Sequence, residues 1–191
     1  MAVIIATIFL FSCDSNKNIT SFKIKNPYLS DRDRNFVLNV DSQTIVDKNS
    51  NIVNENVSIS IFPGEAGGIK QNVNRWRRQL NLTPLPIDNI NKEVMNNPLL
   101  GDYYLFHETN DKENKSIIAA IIPQKDNTIF IKMNTSALLS HDRKYEFTLF
   151  CQSLYLDEAQ ELVWNAPKGW IEKEPINMSK AFFEIKYSDE N

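Results

Sequence analysis

Residues Val57 to Leu82 read VSISIFPGEAGGIKQNVNRWRRQLNL, and this stretch decides the fold. Val57, Ile59 and Ile61 alternate with Ser58, Ser60 and Phe62, the period of two expected of a strand that buries one face. Pro63 ends the strand, because proline has no N–H to give to a sheet ladder. Three of the chain's five glycines then fall together, at Gly64, Gly67 and Gly68. A helix is expected next: Ile69, Val73, Trp76 and Leu80 recur at steps of four, three and four and so share one face. Asn72, Arg75 and Gln79 form a neighbouring polar stripe, with Lys70, Asn74, Arg77, Arg78 and Asn81 on the remainder. Thr83-Pro84-Leu85-Pro86 stops the helix and leads into extended chain.

Downstream, a short helix is expected around Asn91 to Met95, followed by strands at Tyr103 to His107, Ile117 to Ile122 and Thr128 to Met133. The connections between these strands are short, which favours antiparallel hairpins over crossovers. The run Ile117-Ile118-Ala119-Ala120-Ile121-Ile122 does not alternate, so it predicts a central strand covered on both faces. Ser140 is placed to cap a second helix, with Asp142 in its first turn and Phe147, Phe150, Cys151 and Leu154 as its buried stripe. Asp157-Glu158 falls at the expected end of that helix. Upstream, Phe22-Lys23-Ile24 and Phe36 to Val40 alternate as strands around a solvated turn that contains Asp31 to Arg34. The expected architecture is α+β, an antiparallel β-sheet in meander order packed by two main helices.

The chain has 191 residues, 42% hydrophobic and 10% aromatic, enough for one sizeable core with extensions. A net charge of −3 gives no case for nucleic acid as a partner. Met1 to Phe11 is an uncharged apolar run. It is too short to span a membrane, which takes about 20 residues, and suits a signal-peptide core. Its end, Leu10-Phe11-Ser12-Cys13, resembles a bacterial lipoprotein lipobox, although the usual Lys/Arg segment ahead of the run is absent. That resemblance implies a signal peptide over residues 1–12 and lipidation (palmitate included) at Cys13. The protein would then be anchored to a membrane of the cell envelope, periplasmic or surface-facing. Residues 13–20 read as a tether and 21–162 as the α+β domain. Residues 163–191 either complete the sheet or open a truncated second copy. With Cys13 lipidated, Cys151 has no disulfide partner and reads as a buried thiol.

Pro63-Gly64-Glu65-Ala66-Gly67-Gly68 and Asn72-Val73-Asn74-Arg75-Trp76-Arg77-Arg78-Gln79-Leu80 together resemble the PGxAGG and NVNRWRxQL motifs of a group of uncharacterised bacterial secreted proteins and lipoproteins. The resemblance covers roughly Val57 to Leu156. It implies a fold and a location but no chemistry. Members also carry W-x-x-P-x-G-W ahead of the PGxAGG unit, whereas here Trp164 to Trp170, WNAPKGW, follows it. A more remote similarity to PsbP-like domains is an analogy of fold alone.

The glycine turn before a helix could bind an anion through free N–H groups. The spacing of a nucleotide P-loop is absent, however, and Glu65 would repel phosphate. Arginine forks and side-chain amides on the helix suit a carboxylate or phosphate. The candidate ligand-binding residues are therefore Gly67, Gly68, Asn72, Arg75, Arg77 and Gln79, for a small anionic ligand or a protein partner. The alternative reading is that the glycines supply positive φ and the arginines tie the helix to its own domain. His107 and His141 lack any metal-binding spacing, and neither a cofactor nor a catalytic residue is indicated. Trp164, Trp170, Phe182 and Phe183 are either core or an exposed aromatic patch. The function expected is a lipid-anchored envelope protein that acts as a non-enzymatic binding or assembly module. The alternative is a hydrolase-like envelope enzyme with its site near the PGEAGG turn.

Overall fold

A computed structural model describes residues 54–186. The expected signal peptide, Cys13, the tether and the candidate strands at Phe22 to Ile24 and Phe36 to Val40 lie outside the described residues.

The strands are β1 (Asn56–Pro63), β2 (Glu93–Asn97), β3 (Gly101–Asn110), β4 (Lys115–Pro123), β5 (Asn127–Thr135), β6 (Tyr155–Leu156), β7 (Leu162–Val163), β8 (Trp170–Lys173) and β9 (Ala181–Ile185). Helix α1 spans Gly68–Gln79 and α2 spans Ser140–Gln152. Seven strands form one sheet in the order β2-β3-β4-β5-β1-β9-β8, while β6 and β7 make a separate small hairpin. Every neighbouring pair in the large sheet is antiparallel. The protein is thus α+β, with one helix on each face of an antiparallel sheet.

The two faces can be read off β4. Ile117, Ala119 and Ile121 pack with Val73, Trp76 and Leu80 of α1. Ile118, Ala120 and Ile122 pack with Phe147, Phe150, Cys151 and Leu154 on the α2 side. A strand between two helices needs apolar side chains at every position, and that is why IIAAII lacks alternation. On β1, Val57 and Ile59 point to α2 and are fully buried. Ser58, Ser60 and Phe62 therefore point to the α1 side.

Four consecutive turn residues and the first residue of α1 explain the glycines. Gly64 (φ 57°), Ala66 (φ 45°), Gly67 (φ 89°) and Gly68 (φ 67°) are left-handed, a region L side chains enter only with strain. The turn is fastened to the β4–β5 hairpin: Gly64 N–H donates to Asp126 O at 3.0 Å, and Thr128 Oγ1 donates to Gly64 O at 2.6 Å. At the far end of α1, Asn74 donates to Leu85 O at 2.9 Å and accepts from Leu85 N–H at 2.7 Å. The proline-containing segment is held against the helix in this way.

Three expected local features differ. Residues Asn91 to Met95 are not helical; a 3₁₀ turn at Ile87–Asn89 leads instead into strand β2. The cause is Asn97, which is fully buried. Its amide donates to the carbonyls of Cys151 and Leu154 at 2.8 and 3.0 Å. Its Oδ1 accepts from Leu99 and Leu100 N–H at 2.8 and 2.7 Å. These bonds close a tight turn into Gly101 and lay β2 beside β3. Nor does Ser140 cap α2. Leu139 holds that position without a side-chain bond, and the Ser140 hydroxyl donates backwards to Ala137 O at 2.8 Å. Asp142 does lie in the first turn. Asp157 sits in the β6–β7 hairpin, beyond the helix, and accepts from Ala159 and Glu161 N–H at 2.9 Å each.

Strand β9 hydrogen-bonds to β1 and β8 forms the sheet edge beyond it. Trp170 and Phe183 enter the core beside Phe150, with ring centroids 4.8 and 5.8 Å from it. Trp164 stands edge-on to Phe183 at 6.1 Å. Phe182 faces the opposite side of the sheet, as its neighbour's burial requires.

A buried ion cluster ties α2 to Glu55, just ahead of β1, and to Trp170 of β8. Arg143 donates through Nη2 to Glu55 at 2.7 Å and through Nη1 to Glu146 at 2.6 Å. Trp170 Nε1 donates to Glu146 Oε1 at 2.9 Å. Burial raises the Glu146 carboxyl above its ordinary pKa, although Arg143 opposes the shift.

Candidate functional site: an open groove beside α1

Helix α1 covers β3, β4 and Phe130 of β5 but leaves the same face of β1, β9 and the Lys132 end of β5 open. The result is a groove of about 350 Å³. Its floor carries Lys132 on β5, Ser58 and Ser60 on β1 and Phe182 on β9. Helix α1 supplies Arg75, Trp76 and Gln79 along one wall, and Ile176 to Ser179 of the β8–β9 loop make the other. Register explains the floor, since Ser58 lies opposite Lys132 on one side and Phe182 on the other.

Two cations share this space. Arg75 is exposed, and its Nη2 donates to Asn72 Oδ1 at 2.6 Å. Lys132 Nζ donates to Gln79 Oε1 at 3.2 Å. Burial lowers the Lys132 pKa, and the Arg75 charge lowers it further. The lining contains no carboxylate. Glu184 on β9, opposite Asn56, lies beyond the lining and pairs with Lys173 at 3.5 Å. Among the described residues neither Arg75 nor Lys132 has an acidic partner, whereas Arg77, Lys115, Arg143, Lys144, Lys173 and Lys180 all do.

The residues singled out from the sequence separate into four groups. Arg75 and Gln79 line the groove. Asn72 is buried beneath it: its amide donates to the carbonyls of Ala66 and Gly68 at 3.0 and 2.7 Å, leaving Oδ1 to hold Arg75. Arg77 turns away, donating to Thr83 O at 2.8 Å and pairing with Glu108. Gly67 and Gly68 do not line the groove, and Gly68 N–H is taken up by Glu65 O at 2.9 Å. The turn therefore acts on the groove only through Asn72 and Arg75.

Local reading of the sequence missed Lys132, Ser58, Ser60 and Met178, because they meet only across two strands and a loop. The signal available was a lone lysine inside the apolar TIFIKM strand. His107 is on the other face of the sheet, with Thr109 Oγ1 3.3 Å from its Nε2. Burial lowers its pKa, and nearby Lys144 adds to the shift. Cys151 is fully buried, and burial pushes its thiol well up, away from the reactive thiolate.

Among the described residues no cluster of His, Cys, Asp and Glu could hold a metal, and no helix is long and apolar enough to cross a membrane. No protein-family model matches the chain, and no curated protein or solved structure matches it.

Proposed function

We propose that this protein is a lipid-anchored component of the cell envelope that binds a ligand in the α1 groove without transforming it. The observation that carries the binding reading is a single one: Arg75 and Lys132 face an open groove whose lining holds no carboxylate. Like charges held together without neutralisation raise the energy of the empty site, and an anion entering it would relieve that cost. The envelope location rests on the lipobox resemblance at Cys13. The non-enzymatic reading rests on chemistry. The groove lining offers amides, hydroxyls and cations, while His107 and Cys151 lie on the α2 side of the sheet.

Amide NMR spectra of the full chain, recorded against a set of small soluble fragments, test the binding reading. Shifts concentrated at Ser58, Ser60, Gln79 and Met178 support it. Shifts concentrated at Glu65, Gly67 and Gly68 instead would overturn it in favour of an enzyme site near the turn. Palmitate labelling in a bacterial host tests the anchor. Loss of label in Cys13→Ala is expected, and undiminished label would refute anchoring there.

A further inference from the structure

We infer that the groove takes a small amphiphilic carboxylate, with its anionic end between Arg75 and Lys132 and its apolar body against Phe62, Phe182 and the Ile176–Met178 lip. This assignment rests on the groove being a binding site.

Size points to a small molecule. A volume of about 350 Å³ is near the lower end of ligand pockets, roughly 300–1,000 Å³. Polarity points to an amphiphile, because the lining carries both kinds of side chain. Phe62, Trp76, Phe130, Phe182, Ile176 and Met178 are apolar, and Asn56, Ser58, Ser60 and Asn134 add amides and hydroxyls to the two cations. Ile176 and Met178 are 46% and 75% exposed, so the loop presents large apolar side chains to water at the mouth of the groove. Such exposure has an energetic cost that an apolar ligand would remove.

The charge pattern favours carboxylate over phosphate. Phosphate sites recruit backbone N–H groups from helix N-termini and glycine nests. Here the glycine turn does not open on the groove, and Gly64 and Gly68 N–H are already bonded within the fold. The charged donors of the lining are a planar guanidinium and an ammonium, both suited to a carboxylate. Asn72 acts as a positioning residue, because its Oδ1 holds one arm of the Arg75 fork and leaves the other donors free to turn.

Calorimetric and NMR titration of the full chain with 4-phenylbutyrate, 4-phenylbutyramide and 4-phenylbutyl phosphate tests the assignment. The acid should bind saturably with a Kd of about 1 mM or tighter, shift groove amides, and lose affinity at high salt. The amide should bind about tenfold more weakly. Arg75→Gln and Lys132→Met should each weaken the acid about tenfold while leaving the amide unchanged, and unfolding curves establish that both variants fold. Equal binding of acid and amide, or tighter binding of the phosphate, would overturn the carboxylate assignment and leave the groove as a binding site. Absence of groove shifts with all three compounds, and with the wider fragment set, would overturn both.

Discussion

Asn72 accepts a hydrogen bond from Arg75 at 2.6 Å while its own amide donates to the carbonyls of Ala66 and Gly68. One buried side chain thus joins the glycine turn to the open groove. Replacing Asn72 with alanine would remove two hydrogen bonds to part-buried carbonyls, a loss of about 1–3 kcal/mol for the two together. Urea denaturation of Asn72→Ala should show a loss in that range. An unchanged midpoint would mean that the turn does not depend on the amide.

Trp76 is 3% exposed and lies with its ring centroid 5.8 Å from that of Phe106. Truncating a buried aromatic of this size costs about 3–5 kcal/mol. Trp76→Ala should therefore unfold at a clearly lower denaturant concentration. Retained wild-type stability would show that the α1 interface contributes little.

Arg77 and Glu108 form a mostly buried pair, with side chains 13% and 10% exposed. Removing the arginine alone would strand the carboxylate, a change that costs about 3–5 kcal/mol for buried pairs. Arg77→Met should be strongly destabilised, and Arg77→Met combined with Glu108→Leu should recover most of the loss. A double-mutant cycle showing simple additivity would rule out this coupling.

Tyr103 presents the opposite case. Its side chain is fully buried, and its hydroxyl has no hydrogen-bond partner among the described residues. An unsatisfied buried hydroxyl costs about 1–3 kcal/mol, so Tyr103→Phe should match or exceed wild-type stability. A marked decrease in melting temperature would reveal a partner for the phenol.

His107 makes stability depend on pH. Its folded pKa is depressed, first by burial and then by Lys144. The unfolded chain therefore takes up a proton before the folded one does. The stabilisation is present above the unfolded value, about 6.5, and is lost as pH falls through the folded pKa. Denaturation midpoints measured between about pH 7.5 and pH 5 should fall more steeply for wild type than for His107→Gln. Parallel slopes would exclude this residue as the source.

Much of the fold is legible in short windows because the physics there is local. The period of two in Val57 to Phe62 and the four-three-four stripe of Ile69, Val73, Trp76 and Leu80 depend only on backbone geometry. The unbroken apolar run of β4 goes further, since it announces a layer on each side before either helix is placed. Strand β2 is not legible in this way. Glu93 to Asn97 has no strand period, and it is extended because Asn97 reaches two carbonyls at the end of α2, distant in sequence. Ser140 resembles a cap by residue type, yet the preceding turn draws its hydroxyl to Ala137 O.

The same division holds for the groove. The sequence alone determined that α1 has an apolar face and that Asn72, Arg75 and Gln79 form a stripe beside it, because helical spacing puts them there. Only the tertiary structure decided their separate tasks. Burial turned Asn72 into a support for Arg75, Glu108 drew Arg77 away, and strand register set Lys132 opposite Ser58 and within reach of Gln79. Spacing along a chain specifies which side chains share a face. Which of them meet an open space, and with what charge beside them, depends on strands that pair across the sheet.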